Sequence, residues 1–95
     1  MNRNKKTHSL KTWPEFWDEV FVGNKTFEVR KNDRDFKIGD VLELKRYCPI
    51  EKTNKPFFGE SGLKYEIILA PITYVLYGGK FGIEPDFVVL GFDKR

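Results

Sequence analysis

The sequence holds one cysteine and one histidine. A lone Cys48 closes no internal disulfide, and Cys48 with His8 is too small a set for a zinc site built from Cys and His. No metal and no cofactor are therefore expected. Cys48 has no His or Cys beside it in sequence, so a nucleophilic role is not expected either. A glycine-rich phosphate loop is also missing. Gly78-Gly79-Lys80-Phe81-Gly82 lacks the Lys-Ser/Thr ending of a P-loop and does not fit G-x-G-x-x-G, so it reads as the end of one strand and the start of the next. No apolar run approaches the ~20 residues that cross a bilayer, and the basic opening MNRNKKTHS is not followed by the apolar stretch of a signal peptide. No membrane partner is expected, and the location expected is cytoplasmic. There is no internal repeat and no low-complexity tract, so 95 residues read as one domain.

Aromatic residues are plentiful. Nine Phe, four Tyr and two Trp supply large buried area from few positions. The chain needs it, because a domain this short buries only about 60–65% of its unfolded surface. Charge is mildly unbalanced, with 17 Lys and Arg against 14 Asp and Glu. That balance permits a polyanionic partner without requiring one. Several of the cations (Arg3, Lys5, Lys6, Lys94 and Arg95) sit at the ends and read as solvated termini. Residues 1–6 are expected to be a disordered basic tail, and 7–93 the single domain.

From Thr7 to Lys11, apolar Leu10 among polar neighbours predicts a short first strand. Thr12-Trp13-Pro14-Glu15 predicts a helix start, with Pro in the first turn and Thr12 and Glu15 as a capping box. The helix carries Phe16, Trp17, Val20 and Phe21 on one face, and Gly23-Asn24 stops it. Thr26 to Lys31 alternates strictly: Phe27 and Val29 face one way, Thr26, Glu28 and Arg30 the other. Asn32 to Asp35 is a polar turn, and Val41 to Tyr47 is a second alternating strand with Leu42 and Leu44 on one face. Residues 49–62, with their Pro, Gly and charges, predict a loop or excursion. In the long run from Leu63 to Tyr77, Pro71 should mark a bulge, a bend or an edge. Asp86 to Phe92 closes as a last strand. The sum is an α+β fold: a small, partly closed mixed β-barrel of about five to six strands with one early helix at its side.

Chemistry is densest from Gly23 to Arg30. Glu28 and Arg30 share a strand face, and Lys25 stands where helix gives way to strand, so the three can line a polar pocket. The alternative is a surface ion pair on a half-solvated strand. Arg34, in a turn crowded with charge, is either a planar donor for phosphate or a base edge, or part of a self-bonded turn. Trp13 is either a core plug, the reading its size favours, or a stacking platform for a base. His8 reads as a structural hydrogen bonder rather than a proton shuttle.

These segments together resemble a known family. His8-Ser9-Leu10-Lys11-Thr12-Trp13-Pro14, the run from Gly23 to Phe36, Gly39-Asp40, Tyr74-Val75-Leu76 with Gly78-Gly79, and Phe81-Gly82-Ile83 are similar to the DUF3850 family of small bacterial and phage proteins. That family is related to the ASCH domains of the PUA-like superfamily. The ASCH pattern Gly-x-Lys-x-x-Glu-x-Arg is matched by Gly23, Lys25, Glu28 and Arg30. The resemblance implies a PUA-like barrel with a cleft beside the helix, and RNA or a modified nucleotide as ligand. One ASCH branch consists of amidohydrolases acting on N4-acetylcytidine, which place a Thr nucleophile three residues beyond the Lys. Here that position is Glu28, and Thr26 is the nearby hydroxyl.

Three readings follow. The preferred one is a monomeric binding module in which Lys11, Trp13, Lys25, Glu28, Arg30 and Arg34 hold the ligand. The second is a small amidohydrolase on an acylated nucleoside, with Lys25, Thr26 and Glu28 catalytic and Glu66 or Glu84 as a further acid. The third is an accessory protein that docks a host protein through a sheet edge near residues 49–62.

Overall fold

The computed structural model describes residues 4–59 and 61–94. In chain order the elements are β1 (Thr7–Thr12), α1 (Pro14–Phe21), β2 (Phe27–Lys31), β3 (Val41–Cys48), β4 (Thr53–Asn54), β5 (Phe57–Phe58), β6 (Lys64–Tyr65), β7 (Ile67–Tyr77) and β8 (Phe87–Phe92). The expected tail falls partly outside this range: residues 1–3 are not among those described. At its other end Lys6 is held by its backbone. Its N–H donates to Asp40 Oδ1 at 3.1 Å, and its carbonyl accepts from the Val41 N–H at 2.9 Å.

The chain passes from β1 into α1 with no turn between them. Pro14 holds Trp13 extended at ψ 143°, so Trp13, not Thr12, caps the helix. The expected Thr12–Glu15 capping box does not form. Thr12 stays in the strand, and its hydroxyl accepts from Arg30 Nη2 at 3.2 Å. At the far end, Gly23 turns the chain at φ +89°, where only glycine is unstrained. The Gly23 N–H bonds the Val20 carbonyl, and the Asn24 and Lys25 N–H groups both bond that of Glu19.

One mixed six-stranded sheet runs in the order β1-β3-β7-β8-β2, with β4 attached to β3. β1 and β3 are parallel, and the other pairings are antiparallel. β7 belongs to both halves of the sheet. Ile67–Pro71 pairs with β3, Ile72–Tyr77 pairs with β8, and the register shifts between Ile72 and Tyr74. The irregularity expected at Pro71 is therefore present, just past the proline. Among the described residues no ladder joins β1 to β2, so the sheet is not closed into a barrel.

The core lies under the inner face of the sheet. Leu10, Leu42, Leu44, Ala70, Val88 and Leu90 meet Trp17 and Val20 from the helix, all of them buried. Trp17, fully enclosed, donates from Nε1 to the Leu44 carbonyl at 2.9 Å, which satisfies its one polar group. His8 is a structural hydrogen bonder, as expected. It meets Asp40 at 2.9 Å and lies 4.7 Å from the Phe36 ring. The 49–62 excursion carries β4 and β5, and β5 pairs with β6 in a small hairpin. Arg46 pins it, gripping Asp18 with Nε and Nη2 while Nη1 donates to the Lys55 and Pro56 carbonyls. On the solvent side of this excursion a hydrogen bond from Lys55 holds the Glu51 carboxyl below its ordinary value and raises Lys55 in turn. Among the described residues no helix is long and apolar enough to cross a membrane.

Candidate functional site

β2 alternates as expected, and its apolar side is the one turned outward. Phe27 and Val29 are 45% and 51% exposed, while Glu28 is only 4% exposed. Register explains this. Glu28 pairs with Leu90 and Arg30 with Val88, both buried, so Glu28 and Arg30 share the inner face of the sheet.

A carboxylate carried inward must be paired and hydrogen-bonded. Lys25 Nζ lies 2.7 Å from Glu28 Oε1, and Arg30 Nε donates to Oε2 at 3.1 Å. Lys25 Nζ also donates to the Phe27 carbonyl at 2.6 Å and sits 4.9 Å from the centre of the Phe27 ring. Lys25 therefore donates to two acceptors. Arg30 reaches further, with Nη2 donating to the Lys11 carbonyl at 3.0 Å as well as to Thr12. The three side chains carry two positive charges and one negative. The surface ion pair considered from sequence is thus replaced by a mostly buried relay that ties β2 to β1.

Against this relay lies a cleft of about 200 Å³ lined by Lys11, Thr12, Trp13, Phe16, Glu28, Val29 and Arg30. Its rim is aromatic. The Trp13 and Phe16 rings stack at 6.0 Å with 23° between their planes, and they are 49% and 43% exposed. The core role expected of Trp13 is therefore overturned, and Trp17 fills that place. Phe16, read from sequence as sharing one helix face with Trp17 and Val20, stands apart from these two buried residues. The helix is one short element against β3, and only Trp17 and Val20 of its residues are fully covered.

Four of the expected ligand residues, Lys11, Trp13, Glu28 and Arg30, line this one cleft. Lys25 stands behind Glu28 rather than at the wall. Arg34 lies in the adjoining hollow and donates from Nη1 to the Ser9 carbonyl at 2.7 Å. Thr26 is exposed and outside the wall, and its carbonyl accepts from the Phe92 N–H. Glu66 is paired with Lys64, and Glu84 borders a separate hollow with Val29, Ile83 and Phe87. Sequence reasoning missed Phe16 and Thr12 as wall residues. Their signal was the placement of Trp13 and Phe16 on either side of Pro14, three residues apart and so on one side of the first turn. Among the described residues no three His, Cys, Asp or Glu side chains gather as a metal site requires.

The cleft can accept N–H donors at Glu28, whose oxygens each keep an acceptor site. It can donate from Arg30, whose Nη1 has no partner among the described residues. It also offers a ring face at Trp13. This is the chemistry of a flat, polar-edged ring. In comparisons with known proteins, no curated protein matches the chain. A family model described as "Domain of unknown function (DUF3850)" matches residues 7–92. The chain belongs to the DUF3850 family.

Proposed function

We propose that this protein is an RNA- or nucleotide-binding module of the ASCH, PUA-like type, and that the cleft takes one base. The observation that carries the reading is the buried Glu28, held between Lys25 and Arg30 beneath the exposed Trp13–Phe16 pair. The base stacks on Trp13 while its edge meets the two charged groups. Glu28 accepts from an exocyclic amine or ring N–H, and Arg30 donates to a carbonyl or ring nitrogen. A cleft of about 200 Å³ admits a single ring system and leaves sugar and phosphate outside. That fits unpaired nucleotides, whose bases can be splayed out and stacked. The residues of the ASCH pattern, Lys25, Glu28 and Arg30, are the ones that meet. The barrel reading has its own support: Arg30 links the two sheet edges that a barrel would join.

The amidohydrolase reading has less support. Lys25 donates to two acceptors where a general base is needed, and Thr26 is not at the cleft wall.

A thermal-shift screen against nucleosides, nucleotides and short RNAs tests the proposal. A ligand present at about 100 times its Kd adds ~2.7 kcal/mol, which is roughly 10–20 °C in a domain of this size. Trp13→Ala should weaken binding of the best ligand by about 5- to 150-fold, the worth of one base–aromatic stack at ~1–3 kcal/mol. Unchanged affinity in that variant, or no shift with any member of the screen, overturns the reading.

A further inference from the structure

Beside the cleft lies a second hollow of about 360 Å³ bounded by Ser9, Leu10, Lys11, Arg30, Arg34 and Lys45. Four of these six residues are cations, and none is an acid. Two of the cations are forced together by the fold. β1 and β3 run parallel with Lys11 opposite Lys45, so two lysine side chains leave the outer face of the sheet from neighbouring positions. Like charges placed this way repel. Among the described residues each has a single partner: Lys45 makes a long ion pair with Glu43 at 3.8 Å, and that carboxylate also accepts from the Ser9 hydroxyl at 3.0 Å. Lys11 leans over the Tyr47 ring at 4.6 Å. Arg30 and Arg34 add guanidinium groups from the opposite side, both anchored on β1 carbonyls. The hollow shares Lys11 and Arg30 with the aromatic cleft, so the two are contiguous.

We infer that this hollow is a phosphate subsite, and that it receives the phosphate attached to the nucleoside whose base occupies the cleft. The inference rests on the base-binding reading above and extends it: the ligand is a phosphorylated nucleotide, not a free base or nucleoside. An anion relieves the Lys11–Lys45 repulsion, and the anchored guanidinium groups present fixed donors to its oxygens. The phosphate can belong to a free mononucleotide or to a strand of RNA, and its chemistry is the same in both.

Titration calorimetry on the full chain separates these possibilities, with the four ribonucleosides, their 5′- and 3′-monophosphates and an RNA hexamer as probes. Lys45 borders only the hollow and its side chain is 41% exposed, so Lys45→Gln tests this subsite with little risk to folding. The expected result is a gain of about tenfold or more on adding the phosphate to the best nucleoside. Lys45→Gln should remove most of that gain and leave nucleoside affinity unchanged. Lys45→Arg should retain it. A hexamer bound more tightly than its mononucleotide identifies a strand as the ligand, and equal affinity identifies the free nucleotide. For the hexamer, Lys45→Gln should also flatten the plot of log K against log salt by about 0.7. If the phosphate adds nothing, or Lys45→Gln weakens nucleoside and nucleotide alike, the subsite is overturned and the cleft stands. Nucleotide binding indifferent to base identity and to Trp13→Ala overturns the cleft, and with it the paired arrangement. No binding by any probe overturns both.

Discussion

Glu28 shows how one residue can be both a structural brace and a recognition group. Its side chain is only 6% exposed, yet both oxygens are engaged by cations that themselves remain partly open to solvent. A buried carboxylate in this position is stable only while those partners stay. Removing it has a second consequence, because Lys25 and Arg30 then face each other with no acid between them. Glu28→Ala should therefore lower unfolding free energy by about 1.5–3 kcal/mol, the range for hydrogen bonds to charged groups, measured by urea denaturation. Glu28→Gln keeps the shape and one acceptor oxygen, and should cost less. If the site were a solvated surface pair, Glu28→Ala would cost under about 1 kcal/mol, which the same titration would show. The sequence made the grouping legible, since two of the three residues share a strand face by spacing alone. It did not make the burial legible. Depth depends on the partner strand, and Leu90 and Val88 lie some sixty residues further along the chain.

At the scale of elements, β2 makes the same point. A period of two separates two faces but does not say which one turns inward. Hydropathy argues for Phe27 and Val29 inside, and the ladder with β8 places them outside. The uncovered row continues across the sheet: Phe27, Gly91 and Tyr74 lie side by side, as do Val29, Val89 and Leu76. The described helix packs chiefly on β3 and touches this surface only at its edge, where Phe16 and Val29 line the same cleft. Val29→Thr should accordingly change stability by no more than about 0.5 kcal/mol, as for an ordinary surface substitution. Leu44→Ala, at a fully buried site on the strand the helix packs against, should cost about 2–5 kcal/mol. A large loss from Val29→Thr in the same denaturation series would mean that β2 faces the core with its apolar side. The helix was read better. Its start at Pro14 and its stop at Gly23 are set by local chemistry, which a sequence carries in full. Its cap shifted, because a strand running directly into a proline leaves no room for the Thr12 box, and Phe16 turned outward from Trp17 and Val20.

On the scale of the whole molecule, the sheet order leaves β1 and β2 as the two ends, and the connection through the helix brings those ends face to face. Ser9 and Lys11 direct their carbonyls away from β3, and these meet Arg34 and Arg30 instead of a neighbouring backbone. Two side chains thus do across the gap what a ladder does elsewhere in the sheet. A side-chain bridge leaves space that a ladder would fill, and the cleft and the basic hollow both occupy that space. The expectation of a mixed sheet of about five to six strands with one early helix holds, but the sequence could not place the opening between β1 and β2, because non-local pairing is not written in any local segment. The bridge has a dynamic signature. β1 is held by β3 on one side and by the arginines on the other, so weakening the second support should let the strand open more often. In the double variant Arg30→Gln, Arg34→Gln, the β1 amides paired with β3 should exchange with deuterium about 10- to 100-fold faster. That corresponds to the loss of roughly 1.5–3 kcal/mol of charged hydrogen bonding. The amides of β8, paired on both sides by β2 and β7, should exchange at rates set by global unfolding and change less. Equal acceleration in β1 and β8 would mean that the arginines support the fold as a whole and that the gap between the sheet ends has no stability of its own.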